Sequence, residues 1–212
     1  MTQRYEIRLS GSGGQGLILA AIILAEAAGI HEGKYVTQTQ SYGPEARGGR
    51  SRAEVVISDR PIHFPQPMGL DLLVAMTQFA CDTYFIDLKP SGTLIADPSA
   101  VRESPLHGTI FIPFTDIARQ QVGREQMANM VALGSMAAIT QIVSVSSLKK
   151  AVKARSPEGT AEMNLKALSE GVLAAKDLQK ENDLMKAERS AQESETPVQW
   201  LRRVSSGRKN ES

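Results

Sequence analysis

A single cysteine, Cys81, stands in the 212 residues. One thiol excludes a disulfide framework and cannot furnish the several thiolates that a zinc or iron–sulfur centre takes. Its own reading is a small buried apolar residue, and so sparing a use of cysteine suits a reducing cytoplasm. Histidine is scarce as well. His31, His63 and His107 lie far apart, with no pair at metal-ligand spacing, so no metal site is expected. Charge of one sign is lacking too: 24 basic against 23 acidic side chains leave a formal charge of +1, without the basic excess that points to nucleic acid. The longest apolar run, Leu17 to Ile30, falls short of the roughly 20 residues that cross a bilayer. It follows a glycine turn, and the first ten positions are charged and polar, so no secretory signal is read there. These absences predict a soluble cytoplasmic protein with no membrane partner. Catalytic signatures are missing as well: there is no G-x-S-x-G, no Cys with a His partner, and no P-loop, because Gly16 is followed by Leu17 and not by Lys. Carboxylates are plentiful, but only Glu45 sits in a conspicuous loop, and no residue is assigned as catalytic.

Glycine, by contrast, is concentrated. Gly11-Ser12-Gly13-Gly14-Gln15-Gly16 follows the alternating run Tyr5 to Leu9 and precedes the Ala- and Leu-rich stretch Leu17 to Ala28. Strand, turn and helix is the reading, with Gly11, Gly13 and Gly16 at G-x-G-x-x-G spacing. Glycines let the chain turn sharply and approach a ligand closely, and the first N–H groups of the helix attract an anion, so a phosphate or pyrophosphate would fit. The bland alternative is a tight β–α turn with no ligand. An NAD site is disfavoured because the next strand, Tyr35 to Tyr42, ends without the carboxylate that would hold a ribose hydroxyl.

A second rich stretch runs from Gln38 to Ser51, QTQSYGPEARGGRS, between two apparent strands. It holds more chemistry than a connection requires. Arg47, Arg50 and Arg52 are candidates to clamp phosphates or carboxylates bidentately; the rival reading is solvated loop charge, with Glu45 a local partner.

With 42% hydrophobic residues the chain can bury one good-sized core, with an appendage. Helix 1 is apolar nearly all round and should be covered on its outer side by another element or chain, with Gly29 as its stop. Arg52 to Ser58, Asp71 to Met76, Thr93 to Ala96 and Thr109 to Pro113 read as strands, and Gln78 to Leu88 as a helix closed by Lys89-Pro90-Ser91-Gly92. Thr115 and Asp116 read as an N-cap pair for Ile117 to Val122. Glu125 to Val143 carries a Met-rich apolar stripe at helical spacing, read as core. Helices follow from Ser146 to Ala154 and from Glu158 to about Glu181. The expected architecture is a three-layer α/β/α sandwich with a mixed, Rossmann-like sheet plus C-terminal helices, since the short link from Tyr42 to Ser51 implies a hairpin. A domain over residues 1–180 and a charged helical extension or tail over 181–212, bearing Trp200, complete the reading.

The glycine turn with its Ala-rich helix, then YVTQTQSYGPEARGGRSRAEVVISDRPIHFP from Tyr35 to Pro65, DLLVAM, and NMVALG from Asn129 to Gly134, together resemble the gamma subunit of the 2-oxoacid:ferredoxin oxidoreductases. The 2-oxoglutarate variant (2-oxoglutarate synthase) is the most similar, over about residues 5 to 175. The Y-G-P-E-x-R-G-G segment is the specific part. The resemblance implies a multi-subunit enzyme that oxidatively decarboxylates a 2-oxoacid to its acyl-CoA and passes electrons to ferredoxin. It implies thiamine diphosphate with Mg2+ and iron–sulfur clusters in partner chains: alpha and beta, and in some members delta. No cofactor is then bound by this chain alone. It further implies that Gly11, Ser12, Gly13, Gly14, Gln15 and Gly16 meet a coenzyme A phosphate. Tyr42, Gly43, Pro44, Glu45, Arg47, Gly48 and Gly49 would face the ligand or the alpha subunit. Pyruvate, branched-chain and indolepyruvate versions, a purely structural assembly subunit, and a free-standing dinucleotide enzyme stand as rivals.

Overall fold

The computed structural model describes residues 4–42 and 49–193. Strand β1 (Arg4–Ser12) places Ile7 and Leu9 on one face and Glu6, Arg8 and Ser10 on the other, yet all five are buried. A strand with both faces covered belongs inside a sheet. The six strands run in the order β2–β3–β1–β4–β5–β6, with β2 (Tyr35–Tyr42), β3 (Arg50–Ser58), β4 (Leu70–Ala75), β5 (Leu88–Ala96) and β6 (Ile110–Phe111). β2 and β3 form the expected antiparallel hairpin, β3 pairs antiparallel with β1, and β1, β4, β5 and β6 run parallel. The sheet is mixed, with helices on both faces, as the sequence implied.

The helices are α1 (Leu17–Glu26), α2 (Gln78–Tyr84), α3 (Phe114–Ile117), α4 (Ala128–Thr140), α5 (Val145–Arg155) and α6 (Ala161–Glu193). α1 packs on β1 and β3, and α4 and α5 lie against α1, so the outer cover that its apolar sequence demanded comes from the same chain. On the other face α2 seals a second core of Leu70, Leu73, Ala75, Ala80, Cys81 and Leu94. Burial pushes the Cys81 thiol up; a bond involving Ser104 opposes this and the nearby Asp82 charge adds to it, so Cys81 is a packing residue. The methionine stripe is core: Met130 and Met136 are fully buried. α4 and α6 touch at Gly134 and Gly171, where a Cβ on either would collide with the carbonyl of Leu168 or Val131 across the contact. Ser135 Oγ donates to Gly171 O at 2.9 Å at the same crossing. One compact unit runs to Ala175 and a second begins at Lys176, within α6. Among the described residues no helix is long and apolar enough to cross a membrane.

Several element boundaries differ from expectation. β1 extends through Gly11 and Ser12, so the turn proper is Gly13–Gly16. α1 runs past Gly29 in a π turn, Ala27–His31, and left-handed Gly33 follows. α2 gives way to a 3-10 turn at Phe85–Asp87, and Lys89–Gly92 belong to β5 rather than closing a helix. Arg50 and Ser51 are strand residues. α3 starts at Phe114, and its cap is not local: Asp97, fully buried after β5, accepts from Thr115 N at 2.8 Å and Thr115 Oγ1 at 2.6 Å. α5 is capped by Ser144, whose Oγ accepts from Ser147 N at 3.1 Å.

The start of β1 also anchors the crossing from β3 to β4. Glu6, 1% exposed, is bonded by Arg4 and accepts from Met68 N at 2.7 Å and Gly69 N at 2.8 Å. Arg4 in turn donates to Phe64 O and Gln66 O at 3.0 and 2.9 Å. Burial would raise the Glu6 carboxyl, but the Arg4 bond and the two amides outweigh it and hold the group below its ordinary value. A lowered folded-state value means that the stabilisation is complete above the unfolded value of about 4.3 and disappears as pH falls through the folded one. Glu6→Gln is expected to cost about 2 kcal/mol at pH 7 and to flatten the acid limb of the melting temperature between about pH 5 and 3. Thermal melts across that range, with an unchanged acid limb, would contradict this role.

Candidate anion-binding crevice

β1 and β4 are parallel neighbours whose following helices depart to opposite faces, α1 to one and α2 to the other. Chain leaving in opposite directions opens a crevice beyond the carboxyl ends of the two strands, the usual place for a ligand in such sheets. The glycine turn forms its β1 side and Met76 its β4 side. A cavity of about 290 Å³ lies there, lined by Gly14, Gln15, Met76, Thr115, Glu125 and Gln126.

The turn is held from within by one side chain. Gln15 Oε1 accepts from Ser12 N at 2.7 Å, while Nε2 donates to Met76 O at 3.2 Å, so Gln15 bridges the ends of β1 and β4. That bridge passes where a Cβ on residue 11 would stand, which requires Gly11. Gly13 N donates to Gly49 O at 2.6 Å and ties the turn to the start of β3. Gly16 caps α1 in the left-handed region at φ 70°. Its carbonyl accepts from Asn129 Nδ2 at 2.9 Å, and a Cβ there would strike that amide. The same carbonyl accepts the first helical bond from Ala20 N at 3.1 Å; because the C=O and N–H of a trans peptide point in opposite directions, the two bonds together aim the Leu17 N–H away from the helix. No side chain caps α1, and the N–H groups of Gly14, Gly16, Leu17 and Ile18 find no acceptor among the described residues. Several unpaired amides at a helix start, beside a cavity, are an arrangement whose chemistry suits an anion.

The far wall is fixed by hydrogen bonds to a buried carboxylate and by one ion pair. Asp97 holds Thr115 as described and also accepts from Ser99 N at 3.0 Å and Ser99 Oγ at 2.7 Å. Glu125 pairs with Arg119 at 3.1 Å on the open side.

Of the residues singled out in the sequence, Gly11 to Gly16 gather at the crevice, and Gly49 joins them through its carbonyl. Tyr42 ends β2, and Gly43, Pro44, Glu45, Arg47 and Gly48 lie outside the described residues, as does Trp200. Arg50 and Arg52 are not in the crevice; they stand on the opposite sheet face from α1. Sequence reasoning missed Asn129, Thr115 and Met76 as site residues. Asn129 had one signal, a buried amide interrupting an apolar helical stripe. The missing ribose carboxylate also gains a topological reason, since the place beside β1 is filled by antiparallel β3 and β2 lies one strand further out.

A Rossmann-like domain with a glycine turn and a crevice at its switch point is thus the class that the fold defines. The chain belongs to the pyruvate ferredoxin/flavodoxin oxidoreductase family, whose model matches residues 6–174. It is 48% identical over 179 residues to the 2-oxoglutarate synthase subunit KorC of Methanocaldococcus jannaschii, covering 82% of this chain and 96% of that one. The keto/oxoacid ferredoxin oxidoreductase gamma subunit of Geobacter sulfurreducens matches in structure with a TM-score of 0.72 at 49% identity, over 81% of this chain and 98% of that one. A more distant likeness, of fold alone, is to the 2-oxoglutarate:ferredoxin oxidoreductase of Magnetococcus marinus, solved with 2-oxoglutarate, coenzyme A and succinyl-CoA bound. That match has a TM-score of 0.69 at 23% identity, over 84% of this chain and 32% of that one.

The Gly16–Asn129 contact makes a double-mutant prediction. Gly16→Ala combines a left-handed backbone with a steric clash and is expected to cost about 2–4 kcal/mol. In an Asn129→Ala background the clash is gone and the cost drops to about 1–2 kcal/mol. Urea unfolding of the four proteins reads the difference; equal costs in both backgrounds would refute the contact.

Proposed function

We propose that this chain is the gamma subunit of a cytoplasmic 2-oxoglutarate:ferredoxin oxidoreductase and that its glycine turn holds the phosphates of coenzyme A while partner chains break and make bonds. In the complex, 2-oxoglutarate loses CO2, the remaining acyl group passes to the CoA thiol as succinyl-CoA, and two electrons go to ferredoxin. The observation that carries the reading is the set of unpaired amides of Gly14, Gly16, Leu17 and Ile18 beside the cavity, in a chain so similar to 2-oxoglutarate synthase subunits.

The donor set suits an anionic phosphate. Gly14, in the left-handed region at φ 93°, leaves open space where a Cβ would stand, so a phosphate oxygen can approach the backbone. Gln15 and Asn129 keep the turn rigid, which reduces the ordering cost of binding. The chain's own task is to grip and orient the CoA phosphates, leaving the thiol end to reach towards a partner. Iron–sulfur clusters do not fit this chain, whose one thiol is buried. No group of three or more His, Cys, Asp or Glu able to hold a metal ion exists among the described residues. Thiamine diphosphate, Mg2+ and the clusters are assigned to alpha and beta chains, with a delta chain where one exists. The loop from Tyr42 to Gly49 is assigned to the ligand or to the alpha chain, as the resemblance implies.

In the assembled complex, Gly14→Ala is expected to raise the KM for CoA about tenfold, about 1.4 kcal/mol, and to leave the KM for 2-oxoglutarate unchanged. An unchanged KM for CoA with weakened assembly would make the turn a subunit contact instead. Turnover of pyruvate in preference to 2-oxoglutarate would overturn the substrate assignment.

A further inference from the structure

The sheet face that carries α2 holds charge for which the described residues supply no neutralising partner. Arg8, Arg52 and Arg50 project from β1 and β3 onto this face, in register with Glu54, Ser10 and Ser12. Arg8 is spent: Glu54 pairs with it at 2.7 Å and Asp87 pairs with it as well. Arg50 and Arg52 have no carboxylate within ion-pair distance among the described residues. Each is propped on an aromatic ring of α2 instead. The Arg50 guanidinium lies 3.8 Å from the Phe79 ring centre and that of Arg52 5.9 Å from Tyr84, whose ring also meets Arg8 at 4.6 Å.

A guanidinium held over a ring face keeps N–H groups available for a bidentate acceptor. The nearest strand neighbours, Ser12 beside Arg50 and Ser41 beside Arg52, bring hydroxyls and no negative charge. The result is a shelf of donors on a sheet surface, with Arg50 exposed and Phe79 37% exposed at its edge. An arginine pair with an exposed aromatic on an open surface is the composition of a protein contact rather than of an enclosed small-molecule site.

We infer that this shelf docks a segment of a partner subunit that presents Asp or Glu side chains to Arg50 and Arg52 and covers Phe79. The inference rests on the gamma-subunit reading and extends it with a surface and a partner chemistry. The two guanidiniums supply the attraction, and the rings fix them beforehand so that less side-chain freedom is lost on docking.

The test is co-expression of the full chain with its alpha and beta chains, followed by native mass spectrometry and dissociation constants at 50 and 500 mM salt. Charge reversal with R50E and R52E together is expected to weaken retention of this chain by about 100-fold at low salt and to remove most of the salt dependence. Phe79→Leu, which keeps both charges, is expected to weaken it by about threefold. A charge-reversed chain with an unaltered circular dichroism spectrum that stays in the complex with unaltered affinity overturns the inference. So does intact assembly with a raised KM for CoA, which would make the pair a ligand phosphate clamp. If the unsubstituted chain does not copurify with the alpha and beta chains, the gamma-subunit reading fails first and the docking surface with it.

Discussion

The grip of Asn129 on the Gly16 carbonyl is the contact on which the crevice depends. It is made by a buried amide on α4, more than a hundred positions along the chain, at a backbone conformation open only to glycine without strain. That peptide plane is held twice, by Asn129 and by the first helical bond from Ala20 N at 3.1 Å, and Gln15 restricts the turn further by linking the ends of β1 and β4. For the proposed phosphate, preorganisation of this kind costs nothing at the moment of binding because the dipoles are already aimed. The energy was spent in folding, through the packing of α4 on α1 and the close crossing at Gly134 and Gly171 that holds α4 in place.

The two faces of the sheet divide the labour. The α1 face is apolar and supports the turn. The α2 face has an apolar half over β4 and β5 and a charged half over β1 and β3. Its charged half consumes Arg4, Glu6, Arg8 and Glu54 in internal pairs, some of which pin the crossing from β3 to β4. Pairing so many buried charges is justified by position more than by stability: it keeps the long crossing strapped across the start of β1, away from the open carboxyl end.

Much of this was legible in the sequence, for definable reasons. The glycine turn is a local device, so its position before an apolar helix predicts it. The hairpin of β2 and β3 follows from the length of their connection, and the apolar run DLLVAM announces an interior strand. What escaped was non-local. Thr115 and Asp116 read as an N-cap pair, but the helix starts at Phe114 and Thr115 is itself held by Asp97, because the chain returns beside the end of β5. Lys89-Pro90-Ser91-Gly92 looks like punctuation, yet it lies in β5 because the pairing of Leu70 with Leu88 recruits it. Arg50 and Arg52 read as candidate anion clamps, with solvated loop charge as the rival, and only the register of β3 with β1 sets them on the α2 face. The signature NMVALG carried a likeness without a reason; Asn129 and Gly134 now have one each, a carbonyl held and a helix admitted.

The most direct measurement of the central claim is amide hydrogen exchange of the assembled complex with and without coenzyme A, followed on the peptide that spans Gly13 to Leu19. Unpaired amides that donate to a phosphate must exchange more slowly once it is bound, so slowing in this peptide by tenfold or more, about 1.4 kcal/mol, is the predicted result. Saturating coenzyme A with no change in that peptide would contradict the account.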